Sequence, residues 1–299
     1  MRTQFQMSPG NMPAPLKKLI LAICISTLAA GLLEVLFVTA FKIPGPQTFL
    51  TLSTLTFSHF FLWQPFTYLF VHGGPHQGIH FGLLIELAFH IYIIWAMGST
   101  VLERIGTKSF FKLFFITGIG AGILTVLAMA LFSSHAFVGG CTPAILALLY
   151  IWTAFFPEAT IMLFLIIPIR AKWLMGGLIG AILLVHLSDG NFVSLINDLG
   201  GIGIAYFYGL LLWELRSPFE FTHKFDSKAI QYGIALRYKY EKRFASVRSS
   251  KIFDIKTGKG AKSDEAFMDA MLDKIAKDGE KSLSWWQKRR MANISKRRK

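Results

Sequence analysis

Five residues with reactive or ionisable side chains lie in or beside long apolar segments of this chain. Thr142 and Cys141 stand at the start of one segment and offer a hydroxyl and a thiol, both of which serve as nucleophiles in covalent catalysis. Glu86 and His90 lie in a second segment, Asp198 lies beside a third, and all three could accept a proton. Ionisable groups are costly within membrane spans, so we expect a functional site facing the protein interior. For Cys141 the alternative is a small buried residue.

The other candidates also have structural interpretations. A threonine followed by a proline is typical of a helix start, so Thr142 could be an N-cap with Pro143 at the first helical position. Asp198 could cap the last apolar helix near the outer surface. Glu86 and His90 lie four residues apart on one helical face, which favours an interior position for both.

Three histidines, His72, His76 and His80, repeat every four residues and could bind a metal ion from one face of a helix. The sequence Gly73-Gly74-Pro75 interrupts such a helix after the first histidine. No cysteine or carboxylate cluster in the sequence completes a metal site. We therefore expect no metal and no cofactor.

The composition indicates a membrane protein. Of the 299 residues, 53% are hydrophobic and 16% are charged, and the mean hydropathy is +0.49. Soluble domains carry about 25% charged residues. A helix needs about 20 apolar residues to cross a bilayer, and six segments approach or exceed that length. They cover about residues 19–41, 79–101, 110–132, 138–156, 172–187 and 199–214.

Two further apolar stretches lie outside these six segments. Residues 161–167 are too few to cross a bilayer, and the prolines on both sides predict an interfacial connector. Residues 42–78 are rich in aromatic side chains but are interrupted by prolines and glycines. This pattern predicts a segment lying in the membrane interface, and the alternative is a seventh span.

The distribution of lysine and arginine among the short loops predicts the orientation, because cytoplasmic loops are enriched in both residues. One side of the membrane has Lys42 as its single loop cation. The other side receives the N-terminal segment and the loops after the second and fourth spans, whose basic residues are Arg2, Lys17, Lys18, Arg104, Lys108, Arg170 and Lys172. The pattern predicts a multi-pass protein of the cell membrane with both termini in the cytoplasm.

The tail of the chain is strongly basic. From Arg216 onward it contains 22 of the 31 lysines and arginines and 10 of the 17 acidic residues, a formal net charge of +12. Beside a membrane domain, an anionic lipid surface is the expected partner, and nucleic acid is not. Gly279 is predicted to end one tail helix, and Ser284 with Gln287 is predicted to form a capping box that starts another.

Five motifs, in this order along the chain, resemble those of the rhomboid intramembrane serine proteases over about residues 18–214. They are Trp63-Gln64-Pro65-Phe66-Thr67 with Phe70-Val71-His72, Gly98 to Glu103 with Gly106, Gly140-Cys141-Thr142-Pro143-Ala144, Phe156-Pro157 with residues 167–173, and residues 194–201, which end in Asp198-Leu199-Gly200-Gly201. Residues 268–275, followed by Gly279, are similar to a cytosolic helical hairpin of some bacterial rhomboids.

The resemblance implies an all-α polytopic membrane protein, a bundle of six transmembrane helices with a cytosolic helical tail. Three regions are expected. Residues 1–17 form a cytosolic N-terminal segment, residues 18–214 form the membrane domain, and residues 215–299 form the basic tail with a hairpin at about 263–295.

The resemblance also implies a Ser–His dyad that hydrolyses peptide bonds within the membrane. Here the serine position holds Thr142 and the histidine position holds Asp198. Threonine is β-branched and stiff about χ1, and an ionised aspartate is a weak base, with a reference pKa of about 4. Pro143 replaces a glycine and removes a backbone N–H beside the nucleophile.

By the same resemblance, the two oxyanion positions lie four residues apart on the second helix and hold Glu86 and His90. His76 and His80 have the same spacing and are the alternative pair. An ionised Glu86 would place negative charge where an oxyanion needs hydrogen-bond donors.

These departures predict a non-catalytic member that binds transmembrane segments of client proteins without cleaving them. The alternative is an active intramembrane endopeptidase that uses Thr142 or Cys141. A small transporter is a third possibility, but the sequence has no evident inverted repeat to support it.

The predicted orientation can be tested with single cysteines and a membrane-impermeant thiol reagent. We expect cysteines placed at Ser133 and Asn191 to react from outside the cell, and a cysteine at Ser263 to react only after permeabilisation. The parent chain measures the background from Cys24 and Cys141. Reaction of the residue 263 cysteine in intact cells would overturn the orientation.

Overall fold

The computed structural model describes residues 12–75, 77–163, 167–235, 264–279 and 282–297. The chain forms two compact units, Met1–Ile230 and Gln231–Lys299. The described residues of the first unit are mostly helical and strongly apolar, which makes this a polytopic helical membrane protein.

Nine α-helices, numbered in chain order, build the described part of the membrane unit up to Trp213. They are α1 Ala14–Leu36, α2 Pro46–Leu50, α3 Leu55–Ser58, α4 Gln64–Thr67, α5 Phe81–Ile105, α6 Thr107–Leu131, α7 Thr142–Phe155, α8 Ala171–Ser188 and α9 Phe192–Trp213. A π-helical turn, Phe37–Phe41, extends α1, and a 3₁₀ turn, Tyr68–Phe70, follows α4. Helices α1 with its extension, α5, α6, α8 and α9 are long and apolar enough to cross a membrane.

Helix α7 is the central helix of the bundle, and it is shorter than the predicted span 138–156. Its 14 residues rise about 21 Å, less than the roughly 30 Å of a bilayer core. Every residue from Pro143 to Thr153 is buried. Because protein rather than lipid surrounds α7, its length need not match the bilayer. Val138 instead forms an isolated β-bridge with Leu52, four residues before the helix starts.

Helix α9 begins earlier than the predicted span 199–214. Asn191 is its N-cap, and the Asn191 side chain accepts a hydrogen bond of 3.1 Å from the Ser194 N–H. Asp198 therefore lies within the helix and does not cap it, so the capping interpretation of Asp198 is wrong. The cause is the polar stretch at the start of α9, which lowers its hydropathy but not its helicity.

The predicted connector around residues 161–167 is a small hairpin. Strand β1, Thr160–Leu163, pairs with strand β2, Ile167–Arg170, in antiparallel register, with Thr160 opposite Arg170. Glu158, just before the hairpin, forms ion pairs with Arg170 and Lys172. The hydrogen bond from Lys172 is the main reason that the pKa of the exposed Glu158 carboxyl is lowered.

The segment between α1 and α5 contains no helix longer than five residues in its described part, so the seventh-span interpretation is wrong. Several of its polar side chains bond to one another inside the protein, although the buried Oε1 atom of Gln47 has no described partner. The Gln64 side-chain oxygen accepts hydrogen bonds from Ser53 and Thr56, and Glu34 of α1 accepts one of 2.9 Å from the Gln47 N–H at the start of α2. This pairing lets an irregular segment lie at membrane depth.

In the second unit, the first tail helix is Asp264–Asp278 and the second is Trp285–Arg297. Gly279 follows the first helix with a φ of 75°, a left-handed conformation that suits glycine. Ser284 and Gln287 exchange side-chain to backbone hydrogen bonds of 2.9 and 3.4 Å. The predicted helix stop and capping box are both confirmed.

Helix α9 packs against the start of α7 through Gly201. A Cβ atom at this position would lie 2.2 Å from the Pro143 carbonyl oxygen. A side chain here would collide with backbone, which cannot rotate away. Gly203, two residues further along the same helix, has nothing within 4 Å of its Cβ position.

This contrast gives a matched pair of variants. We expect Gly201→Ala to destabilise the protein by about 1–3 kcal/mol, because it overpacks the contact between α7 and α9. Gly203→Ala should leave the stability unchanged or raise it by up to about 1 kcal/mol, because alanine favours the helix more than glycine does. Thermal unfolding in detergent measures both. Equal effects of the two substitutions would contradict the packing.

Candidate functional site

The candidate site is assembled where the turn before α7 meets the end of the segment between α1 and α5. Gly140 has a φ of 115°, and a Cβ atom on it would lie 3.0 Å from Cδ2 of His72. Glycine at this position lets the chain pass directly beside the imidazole ring. The next two residues, Cys141 and Thr142, are thereby placed against α5.

Thr142 is the first residue of α7, and its hydroxyl donates a hydrogen bond of 3.2 Å to Oε1 of Glu86 on α5. The N-cap position belongs to Cys141, whose side chain makes no capping hydrogen bond. The N-cap interpretation of Thr142 is therefore wrong. Thr142 and Glu86 are both half-buried, and they connect the start of α7 to α5.

His72 and His90 form a buried pair beside these residues, with 2.9 Å between Nε2 of His72 and Nδ1 of His90. Nδ1 of His72 lies 2.9 Å from the Thr27 hydroxyl, which itself donates to the carbonyl oxygen of Phe70. A hydroxyl has a single proton, so Thr27 must accept from Nδ1–H of His72. Nε2 of His72 consequently carries a lone pair and accepts a hydrogen bond from Nδ1–H of His90.

Burial also keeps the His72 ring neutral. It lowers the pKa of His72 to about 4, because the charged imidazolium would lose its hydration in this loop. A neutral ring at physiological pH agrees with the hydrogen-bond directions.

Cys141 lies against this pair of histidines. Its Sγ atom is 3.7 Å from both Nε2 of His72 and Nδ1 of His90, and the residue is fully buried. The structure therefore brings four of the five predicted site residues together, Thr142 with Glu86 and Cys141 with His90. His72 joins them. Its four-residue spacing had grouped it instead with His76 and His80 as a possible metal ligand.

Asp198, the fifth residue, has a different partner. Its Oδ2 atom lies 3.0 Å from Nε2 of His186 on α8, and its Oδ1 atom accepts a hydrogen bond of 3.4 Å from the Asn197 side chain. Among the described residues, no imidazole nitrogen lies within hydrogen-bond distance of the Thr142 hydroxyl, which bonds to Glu86 instead. The two dyad positions therefore bond to other residues and not to each other.

The alternative oxyanion pair is not supported as a unit. His80 is the N-cap of α5, and its Nδ1 atom accepts a hydrogen bond of 3.2 Å from the Leu83 N–H. His76 lies outside the described residues. The two described histidines of this spacing, His72 and His80, thus have separate environments.

The sequence reasoning missed His186 and Thr27. His186 is an ionisable residue near the end of an apolar span. Ionisable groups within spans are costly and indicate a functional site, and this argument, which identified Glu86, applies equally to His186. Thr27 carried no comparable signal, because threonine in a transmembrane helix commonly bonds to its own backbone.

The arrangement is poorly suited to acyl transfer. A nucleophilic hydroxyl needs a neighbouring base, and the developing oxyanion needs hydrogen-bond donors. The hydroxyl of Thr142 faces the Glu86 carboxyl group, which occupies the side expected to supply donors. What the geometry provides instead is a set of polar contacts that join α5, α7, α8 and α9.

Comparison with known proteins agrees with the motifs in the sequence. The family model described as Rhomboid domain matches residues 59–215, which is more than half of the chain. A search of curated proteins finds no match.

The contact between His186 and Asp198 can be measured by a double-mutant cycle. We expect His186→Gln and Asp198→Asn to couple by about 0.5–3 kcal/mol in thermal unfolding, because each removes the partner of the other.

A control cycle combines His186→Gln with Glu103→Gln, an exposed residue near the end of α5. It should be additive within about 0.5 kcal/mol. Additivity in the first cycle as well would show that His186 and Asp198 do not interact.

Proposed function

The chain belongs to the rhomboid family, and we propose that it is a non-catalytic member that binds transmembrane segments of other membrane proteins. The proposal rests on one observation, the hydrogen-bond partners of the two residues at the dyad positions. Thr142 donates to Glu86, and Asp198 bonds to His186. Neither contact supplies the histidine base that activates a hydroxyl nucleophile in this family.

Several effects that oppose hydrolysis act together at this site. A carboxylate is a weaker base than imidazole near neutral pH. Loss of one oxyanion donor costs on the order of 100-fold in rate, and Glu86 contributes an acceptor on the side where donors are needed. Pro143 removes a backbone N–H from the first turn of α7.

The packing of α8 supports binding of a further helix. Along its 18 residues, Ala171 and Met175 are the buried positions, and Leu184 is 71% exposed. Helix α7, in contrast, is almost entirely enclosed. The contact between His186 and Asp198 is the described side-chain hydrogen bond that ties α8 to α9. A helix held this loosely can make room for a client segment beside it.

The α5 face next to Glu86 is the expected contact for a client. Ile85 and Phe89 on this helix are each 55% exposed, and Glu86 between them is half-buried. Apolar side chains of a client would pack on these residues. A hydrogen-bond donor within the client span would find an acceptor in the Glu86 carboxyl group, and such a donor is costly in lipid alone. The proposed clients are therefore transmembrane helices that contain a polar donor.

The second candidate function is an intramembrane endopeptidase that uses Cys141 or Thr142. The observation in its favour is the thiol of Cys141, which lies 3.7 Å from two imidazole nitrogens, because a cysteine beside a histidine is an arrangement used in covalent catalysis. Its burial counts against it, since a fully buried thiol offers no approach to a peptide carbonyl.

The proposed location is the cell membrane, with both termini in the cytoplasm. The basic tail is the proposed contact for an anionic lipid surface, because each cation near such a surface contributes about 1 kcal/mol of attraction. The exposed cations of the second tail helix include Lys288 and Arg289, the latter also over the ring of Trp285.

Two measurements on the same preparation test the proposal. The purified protein in bilayers should not cleave transmembrane substrates that an active rhomboid with serine and histidine at these positions cleaves. A photo-crosslinker at Phe89 should capture client segments in the membrane, and one at Leu127 of α6, which is similarly exposed, should capture few. Glu86→Gln should alter the captured set without changing the thermal midpoint.

Two outcomes would contradict the proposal. Cleavage by the wild-type protein that Thr142→Ala or Cys141→Ser abolishes, and that Gly203→Ala leaves intact, would make this protein an enzyme. Equal capture at Phe89 and Leu127 would remove the proposed client contact.

A further inference from the structure

Three metal-ligating side chains from three separate elements converge in the core of the membrane unit. His72 comes from the end of the segment between α1 and α5, His90 from α5, and Cys141 from the residue before α7. Their donor atoms all lie within 4.8 Å of one another, and all three residues are buried. We propose that they bind a transition-metal ion of the Zn²⁺ class.

The distances suit such an ion. Zinc binds imidazole nitrogen at about 2.0–2.1 Å and thiolate sulfur at about 2.3 Å, so tetrahedral ligands stand about 3.6 Å apart for N and S and about 3.4 Å for N and N. The structure has 3.7 Å between Sγ of Cys141 and each of the two ring nitrogens. The nitrogens of His72 and His90 are 2.9 Å apart and share one proton. They need to separate by about half an ångström, which small rotations of the two rings provide.

The surroundings of His72 already hold the ring in the form that a metal requires. Its Nδ1–H donates to the Thr27 hydroxyl, and that hydroxyl donates to the Phe70 carbonyl oxygen. Metal-bound histidines characteristically donate their other N–H in this way, which fixes the tautomer and the ring direction. The lone pair of Nε2 consequently points toward His90 and Cys141.

Binding changes the protonation of the other two ligands. His90 must carry its proton on Nε2 instead of Nδ1, which frees the Nδ1 lone pair for the metal. The Cys141 thiol releases one proton to solvent and binds as the thiolate. The hydrogen bond between the two rings is replaced by two nitrogen–metal bonds.

The donor set also restricts which ion binds. A thiolate with two imidazoles favours zinc or copper ions over Mg²⁺ and Ca²⁺, which prefer oxygen ligands. Three protein ligands leave a fourth position, which an exogenous ligand such as water would fill. A Cβ atom built on Gly140 would lie 3.0 Å from the His72 ring and 3.5 Å from Oε1 of Glu86.

Such an ion would join the irregular segment to both α5 and α7 without any contribution from Thr142 or Asp198. The site is therefore independent of the proposed loss of catalysis. It is compatible with a client-binding protein or with an enzyme that uses Thr142, but not with one that uses Cys141 as its nucleophile.

The test uses the purified full-length protein in detergent after removal of metals, with Co²⁺ and Zn²⁺ as probes. One equivalent of Co²⁺ should give a thiolate-to-cobalt charge-transfer band and the visible bands of tetrahedral cobalt, and Zn²⁺ should displace it. Zn²⁺ should also raise the thermal midpoint, because it binds the folded state.

Four variants locate the site. Cys141→Ser and His90→Gln should lose the charge-transfer band and the rise in midpoint. Cys24→Ser, which removes the other cysteine, should retain both. Thr27→Val, which leaves all three ligands in place, should weaken binding about 10- to 100-fold. The proposal fails if the wild-type protein gives no such band, or if the band persists in Cys141→Ser.

Discussion

The fold depends on the requirement that every polar group buried at membrane depth finds a partner within the protein. Lipid offers no hydrogen bonds, so an unpaired polar group costs several kcal/mol there. In the irregular segment between α1 and α5, contacts such as Gln64 with Ser53 and Glu34 with the start of α2 supply such partners, and Oε1 of Gln47 is the described exception. Because these contacts hold the segment in place, the His72 ring lies beside the start of α7.

The same requirement explains the candidate site. Asp198 and Glu86 each lie in a largely apolar environment. The structure provides Asp198 with His186 and Glu86 with Thr142. Each of these ionisable side chains thus takes part in a contact between neighbouring helices.

Much of this organisation could be predicted from the sequence, and the exceptions have physical causes. Long apolar segments identify the spans, because crossing lipid imposes a length and a composition. The tail helices follow from local capping rules, which act over a few residues around Gly279 and Ser284. The short α7 could not be predicted, because apolar composition does not distinguish lipid from protein as the surrounding medium. The contacts of His186 and Cys141 depend on how each helix rotates about its axis, and hydropathy carries no information on that rotation.

The pairing of Asp198 with His186 limits how the site can change by single substitutions. Replacing Asp198 by histidine would place an imidazole against the imidazole of His186 and remove the carboxylate that this ring contacts. A donor in place of Glu86 would likewise leave the Thr142 hydroxyl to find another acceptor. Each of these substitutions therefore removes an existing contact. Because residues in contact couple energetically, the effect of one substitution depends on whether its partner has already changed, and the order of substitutions matters.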